Sequence, residues 1–479
     1  MCGIYLFFSK SGKSISELHD TLMLIQHRGQ DSYGILYKNG GNVILNKKGT
    51  IKPYTGPETT QLFMGHLRYT TSGGVGEDGT QPICTTNKFG DFSFIYNGNI
   101  PCNEYEFVYN KLFSLDTTLI KYFLEYESNK CNNWNELLEK FMHTFSRGYS
   151  IIITTPTDVY LIKDRYGVRP LCFAYSEESQ ELEVASESVG ITIDNTIHEV
   201  DAGCVLQIKL NDIKQPQEIY RFYKNSVKNS VKNSVKNSVK NSVKNSVKNF
   251  GGRCIFEYIY FLNPETIWNT LSTKLIRSEW AKKLAAKDRS LQLFNESNYL
   301  VIGIPTTGIH PGIAYANYLN IEYSQSITKN ININRTFILS KEERDIASKK
   351  KYIYNDKTIL GKRIIVIDDS IVRGITMRNI VYRLNECGAK EVHIRIISPE
   401  IKNTCMYGID IPTKEELIAN SMNNAQMNDY FGSTTLRFLD TLDMRDTINT
   451  HIKETNFCSG CFDGNYGYNE QLDNDKLSW

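Results

Sequence analysis

No apolar run in the chain approaches the length of about 18–20 residues that a membrane span needs. The opening, MCGIYLFF, has no basic stretch, and its apolar run is too short and too early for a secretion signal. Net charge is nearly absent. The 55 Lys and Arg against 53 Asp and Glu leave +2, which gives no reason for nucleic acid or a membrane surface as the main partner. These absences make a cytoplasmic protein the expectation. There, 11 cysteines are more readily reduced, buried, metal-bound or catalytic than paired in disulfides. What is present is ordinary for a globular protein: 41% hydrophobic and 23% charged residues over 479 positions, enough for roughly two to four domains.

One segment stands apart. Residues 224–249 read KNSV over and over, with no aromatic residue and a Val only at every fourth position. Asn and Ser are poor helix formers, and a Lys in every repeat charges the segment uniformly. It is expected to be an exposed low-complexity insertion that divides residues 2–223 from residues 250–479. In the first part, IYLFF, GILYK, VILNKKG, FMGHLRY, FSFIYNG, YSIIITT, VYLIKD and LEVASES read as strands. HDTLMLIQHRG and the stretch 116–145 read as helices. This predicts an α+β domain with an αββα core. In the second part YLVIGIP, RIIVIDD and KEVHIRIIS read as buried strands alternating with the helices GIHPGIAYANYL and ITMRNIVYRLNECG. That pattern predicts an α/β domain with a parallel, doubly wound sheet.

Two places carry chemistry. In RIIVIDDSIVRGIT (363–376) an apolar strand runs into Asp368 and Asp369, then a loop with Ser370, Gly374 and Thr376, then a helix. Backbone N–H groups at a helix start and nearby hydroxyls suit a phosphate, and paired carboxylates suit ribose hydroxyls or Mg²⁺. The plainer alternative is an acidic strand end that caps a helix. At the other end, Cys2 follows the initiator Met. With Met1 removed, and no propeptide to cut, it would carry a thiol and a free α-amine that can move its proton. Alternatively it is a small residue beginning a strand. Cys458 and Cys461 have C-x-x-C spacing, which serves zinc, redox pairs or nothing.

The loop DDSIVRG resembles the PRPP loop of type I phosphoribosyltransferases, and most closely that of the amidophosphoribosyltransferase family. FEYIYFLNPET (256–266), IGIPTTG (302–308), TKNININRTFI (328–338) and YGIDIPTKEELIA (407–419) resemble further segments of that family. The resemblance implies a 5-phosphoribosylamine-forming enzyme at the first step of purine (IMP) synthesis, using glutamine, PRPP and water. It implies that Asp368 and Asp369 hold ribose and Mg²⁺ together with Thr307. Ser370, Ile371, Val372, Arg373, Gly374 and Thr376 would cradle the 5′-phosphate, and Lys329 would also bind PRPP. The family's first domain resembles class II glutamine amidotransferases of the N-terminal-nucleophile type. MCGI, QHRGQDSYGI (26–35), GHLRYTTSG (65–73), YNGNI (96–100), SLDTTLI, DRYGVRPL (164–171) and VASES (184–188) carry that likeness. It implies Cys2 as nucleophile, Asn97 and Gly98 as oxyanion hole, Arg68 and Thr71 at the glutamine carboxylate, and Asp116 at its α-amine. Ammonia would be channelled to C1 of PRPP.

One branch of the family carries a 4Fe–4S cluster on four cysteines. The matching positions here are Cys254, Cys405, Cys458 and Cys461, with a zinc site as the other candidate. The resemblance also implies purine nucleotides as inhibitors and a homo-oligomer, dimer or tetramer. The chain departs from the family at Thr306, where an acidic residue is usual, at Ile375 for a threonine, at Ala281 for a glycine, and at Ile331 and Asn332 for arginine and tyrosine. These departures bear on PRPP use and motivate one alternative, a non-catalytic PRPP or nucleotide sensor with residual glutaminase activity.

Overall fold

Side chains in the first half of the strand Gly3–Ser14 alternate between two apolar environments, as a strand covered on both faces requires. Ile4 and Leu6 enter one core, and Tyr5 and Phe7 another. Thr59–Arg68 repeats the alternation, with Leu62 and Met64 beside Ile4, and Phe63 and Leu67 beside Tyr5. The computed structural model describes residues 1–38, 42–69, 79–222, 252–294, 297–330, 351–409, 411, 413–452 and 457–466. They form two compact units. One is Met1–Cys254 with Ile267–Asn269 and Met406–Asp410; the other is Ile255–Thr266, Thr270–Cys405 and Ile411–Trp479. The KNSV repeat and residues 331–338 of the segment likened to a family loop lie outside the described residues.

In the first unit a seven-stranded antiparallel sheet runs in the order His198–Glu199, Cys172–Ser176, Glu181–Ala185, Gly3–Ser14, Thr59–Arg68, Ser32–Lys38, Asn42–Lys48. A six-stranded antiparallel sheet runs Gln217–Arg221, Cys204–Lys209, Asp158–Lys163, Tyr149–Thr154, Gly90–Gly98, Ile83–Asn87. Ile4, Leu6, Leu62 and Met64 of the first sheet meet Ile95, Ile152, Leu161 and Ile208 of the second. On the first sheet's other face, Ile15, Leu18 and Leu22 of the helix Ile15–Leu24 cover Tyr5, Phe7 and Phe63. On the second sheet's other face, helices Asp116–Tyr126 and Trp134–Thr144 cover Phe94, Ile151 and Ile153 with Leu119, Phe123, Leu137 and Phe141. The order is therefore helix, sheet, sheet, helix, the αββα layering expected. Each fully buried Leu, Ile or Phe stabilises it by about 1.5–3 kcal/mol. The stretch 116–145 is two helices rather than one, because the Asn133 side chain caps the second by accepting the Glu136 N–H at 3.0 Å.

In the second unit five parallel strands run Glu322–Tyr323, Tyr299–Gly303, Arg363–Asp368, Glu391–Ile396, Thr435–Phe438. Ile364, Ile365, Val366 and Ile367 are all fully buried, as a central parallel strand covered on both faces requires. Gly303 pairs with Ile367. The loops that follow these two strands therefore emerge side by side at the carboxyl edge of the sheet, where such sheets bind ligands. Among the described residues no helix is long and apolar enough to cross a membrane.

Candidate active sites

Cys2 is held by its backbone. Its N–H donates to Asn97 Oδ1 at 3.1 Å, and its carbonyl accepts from Arg28 Nε at 3.1 Å. Its Sγ lies 3.8 Å from the Tyr69 carbonyl. Arg28 is buried and its Nη1 donates to Glu187 Oε1 at 2.5 Å; the same oxygen meets His27 Nε2 at 2.8 Å. The Ile4 N–H donates to Ser186 Oγ at 3.0 Å. The segments QHRG and VASES thus meet behind Cys2.

Cys2, Arg68, Gly98 and Asp116 line one pocket, together with His66 and Gln81. Strand ends and a helix start bring them there. Asn97 and Gly98 end the strand Gly90–Gly98, Arg68 ends Thr59–Arg68, and Asp116 begins Asp116–Tyr126. Asn97 is buried, and its Nδ2 has no hydrogen-bond partner among the described residues. A Cβ on Gly98 would stand 2.6 Å from Tyr96 Oη, so a side chain there would collide with the ring. Gln81 clips the neighbouring strand, its Oε1 accepting the Tyr96 N–H at 2.5 Å. The Asp116 carboxyl accepts the N–H groups of Thr117 at 2.8 Å and Ile100 at 3.4 Å. Desolvation still raises its pKa to about 6, against the opposing pull of those N–H groups and of Arg68. Thr71 lies outside the described residues.

In the second unit Asp368 ends the strand Arg363–Asp368 and Asp369 follows it; both are more than nine-tenths buried. Desolvation pushes both carboxyls up, Asp368 further because it also faces Asp369. Thr307 and Ser370 give their hydroxyls to Asp369, and the Asp369 N–H donates to Asp368 Oδ1 at 2.9 Å. Gly374 caps the helix Ile375–Glu386 at φ +81°. A Cβ there would meet Ile418 Cδ1 at 2.5 Å, so glycine is required twice over. Ile371 is buried, the Val372 carbonyl accepts the Ile418 N–H at 3.0 Å, and Arg373 Nε donates to Glu416 Oε2 at 2.7 Å. Thr376 sits in the first turn of that helix. Lys329 ends the strand Ile327–Lys329 opposite Tyr352. Lys351, which immediately precedes that partner strand, has a charge that reaches both carboxylates.

Cys254 is buried at the end of the short strand Arg253–Cys254 in the first unit. In the second unit the N–H groups of Lys402 and Asn403 donate to the Cys461 carbonyl at 2.9 and 3.0 Å. Tyr466 Oη donates to the Thr404 carbonyl at 2.5 Å. The charges of Cys405, Cys458 and Cys461 all act on that tyrosine. All three thiols are thus within electrostatic reach of one side chain. No group of three or more His, Cys, Asp or Glu side chains among the described residues is disposed as metal ligands.

Residues 273–399 match the model of the phosphoribosyl transferase domain. The chain is 29% identical to the amidophosphoribosyltransferase of Methanothermobacter thermautotrophicus, over 97% of this chain and 94% of that one. It is 29% identical to that of Methanocaldococcus jannaschii, over 97% of each. Its structure is similar to glutamine PRPP amidotransferase from B. subtilis complexed with ADP and GMP, with a TM-score of 0.77, 26% identity and 98% of each chain covered. The chain is thus similar to amidophosphoribosyltransferases along nearly its whole length. The sequence assigned no role to three residues here: His66, which lines the pocket, and Arg28 and Glu187, which lie behind Cys2. Arg28 and Glu187 stand in motifs quoted for the likeness, but nothing in the sequence signals that they meet. His66 had a usable signal, since it lies two residues before Arg68 and so on the same face of a strand.

Proposed function

We propose that the chain is a glutamine-dependent amidophosphoribosyltransferase, making 5-phosphoribosylamine, glutamate and pyrophosphate from PRPP, glutamine and water at the first step of purine synthesis. The observation that carries this reading is the single pocket where Cys2, Arg68, Gly98 and Asp116 converge from four separate segments. With Met1 removed, the α-amine of Cys2 takes the thiol proton and Sγ attacks the glutamine carboxamide. Arg68 pairs with the α-carboxylate and Asp116 with the α-ammonium; Thr71 assists Arg68. The Asn97 Nδ2 and the Gly98 N–H receive the oxyanion, with each such donor contributing roughly 3–4 kcal/mol in other acyl-transfer enzymes. Ammonia leaves, and water hydrolyses the γ-glutamyl thioester. Ammonia then bonds to C1 of PRPP as the bond from C1 to the pyrophosphate oxygen breaks.

The second unit supplies the PRPP site. Residues 370–376 offer backbone N–H groups, the Ser370 and Thr376 hydroxyls and the Gly374 turn to the 5′-phosphate. Lys329 and Lys351 offer positive charge to the pyrophosphate. Two adjacent buried carboxylates with raised pKa values suit a divalent cation, so Asp368, Asp369 and the Thr307 hydroxyl would hold Mg²⁺, which neutralises pyrophosphate when bound. Cys254, Cys405, Cys458 and Cys461 would hold a 4Fe–4S cluster as a structural staple; that three of these thiols act electrostatically on Tyr466 supports that donor set. A cytoplasmic setting, where thiols stay reduced, belongs to the same reading. Purine nucleotides are the inhibitors proposed, and a dimer or tetramer the assembly. The relative complexed with ADP and GMP supports the first of these.

The test is glutamine hydrolysis with and without PRPP. Stimulation by PRPP with phosphoribosylamine formed is expected, and Cys2→Ala should work only with added ammonia. Hydrolysis that ignores PRPP, with no phosphoribosylamine, would favour the sensor. Iron content and the visible spectrum of the same protein test the cluster.

A further inference from the structure

His66 takes no part in the chemistry above. It is fully buried, lines the same pocket as Cys2, and neither ring nitrogen has a hydrogen-bond partner among the described residues. Leaving a buried polar group unsatisfied costs about 1–3 kcal/mol, so the pocket carries an unmet donor and an unmet acceptor. Burial first, and then the Arg68 charge, lower the His66 pKa to about 3. The ring is therefore neutral at working pH, with one N–H and one lone pair. The strand ladder fixes its distance from the nucleophile. Ile4 pairs with His66 and Gly3 with Leu67, which makes Cys2 the diagonal neighbour of His66, with Cβ atoms about 7 Å apart. His66 makes no direct hydrogen bond to Cys2 among the described residues, and the span has room for one bridging water. A buried water needs two to four polar partners; His66 supplies one and the freed α-amine of Cys2 another.

We propose that His66 is a positioning residue for thioester hydrolysis, its ring nitrogen holding the water that attacks the γ-glutamyl carbon. This rests on the glutaminase reading of the pocket. The water oxygen bonds to the γ-carbon and one water proton passes to the Cys2 α-amine. The C–S bond breaks with its electron pair on Sγ, which takes that proton, and the new γ-carboxyl ionises to solvent. Acylation does not need this water, so His66 acts on the second half of the cycle.

His66→Phe keeps a ring and removes both nitrogens; His66→Gln returns a donor and an acceptor. The full-length protein is mixed with glutamine, ammonia and glutamate release are followed separately, and intact mass reads the γ-glutamyl adduct on Cys2. In His66→Phe the first-turnover ammonia release should match the wild type, glutamate release should slow at least tenfold, and adduct should accumulate. Added hydroxylamine should discharge that adduct, and His66→Gln should recover most of the turnover. Ammonia-dependent synthesis reports the fold, and His66→Met is the nitrogen-free substitute if His66→Phe lowers it. Equal slowing of ammonia and glutamate release, or no excess adduct, overturns the proposal. A wild-type protein that forms no adduct and whose Cys2→Ala variant still hydrolyses glutamine removes the glutaminase reading itself, a result distinct from a failure of His66.

Discussion

The side-chain oxygen of Asn97 accepts the Cys2 N–H at 3.1 Å, while its Nδ2 has no partner among the described residues. One amide thus grips Cys2 with its oxygen and offers a donor with its nitrogen. Asn97→Ala removes both and should lower kcat for glutamine by about 10²–10³. Ammonia-dependent activity should persist. Equal loss with both nitrogen sources would show that Asn97 supports the fold rather than the oxyanion.

Asp116 should set the acid limit of glutamine use. Its pKa of about 6 lies above the ordinary 3.8, so it is ionised above about pH 6 and neutral below. Only the carboxylate pairs with the α-ammonium. KM for glutamine should therefore rise about tenfold per pH unit below that point. Asp116→Asn should give a high KM with a flat profile. For folding, a carboxyl with a raised native pKa withdraws stability as pH climbs from about 3.8 to about 6. Asp116→Asn should then raise Tm at neutral pH while it weakens glutamine binding.

The buried Arg28–Glu187 pair holds the Cys2 carbonyl in place. Removing one partner of such a pair costs about 3–5 kcal/mol because the other charge stays buried. Glu187→Ala should lower Tm and glutaminase activity together. Glu187→Gln, which still accepts from Arg28, should recover part of each. A Glu187→Ala protein with unchanged Tm would contradict the assigned role.

How much of this was legible in the sequence depended on distance along the chain. Cys2, Arg68, Asn97, Gly98 and Asp116 each stood in a recognisable motif, and their order carried the pocket. Arg28 and Glu187 are 159 residues apart, and no local pattern tells an arginine that it will be buried against a distant carboxylate. The same holds for fold elements. Ile364–Ile367 announced a central strand by being apolar throughout. Gln217–Arg221 is an edge strand with exposed Gln217 and Glu218, and edges carry polar residues that blur the alternation. The helix Thr273–Ser290 is rich in Lys and Arg; its buried stripe is Ile276, Trp280 and Leu284, too sparse to stand out.

The PRPP loop has its own test. Gly374→Ala places a Cβ at positive φ and against Ile418, a strain of about 1–3 kcal/mol. KM for PRPP should rise roughly tenfold or more, with PRPP-independent glutamine hydrolysis unaffected. Asp369→Asn, which removes the carboxylate that receives Thr307 and Ser370, should lower ammonia-dependent synthesis further still.

The two-sided burial of Gly3–Ser14 has a consequence for what the N terminus tolerates. Even-numbered residues Ile4 and Leu6 point between the sheets, and odd-numbered Tyr5 and Phe7 point to the helix layer. Cys2 shares the parity of Ile4. One residue inserted between Cys2 and Gly3 would turn the thiol toward the helices, leaving a chemically intact nucleophile on the wrong side of its own sheet. Two inserted residues would restore the side but carry the thiol about 7 Å past the pocket floor. The position of this cysteine is thus constrained in phase as well as in chemistry.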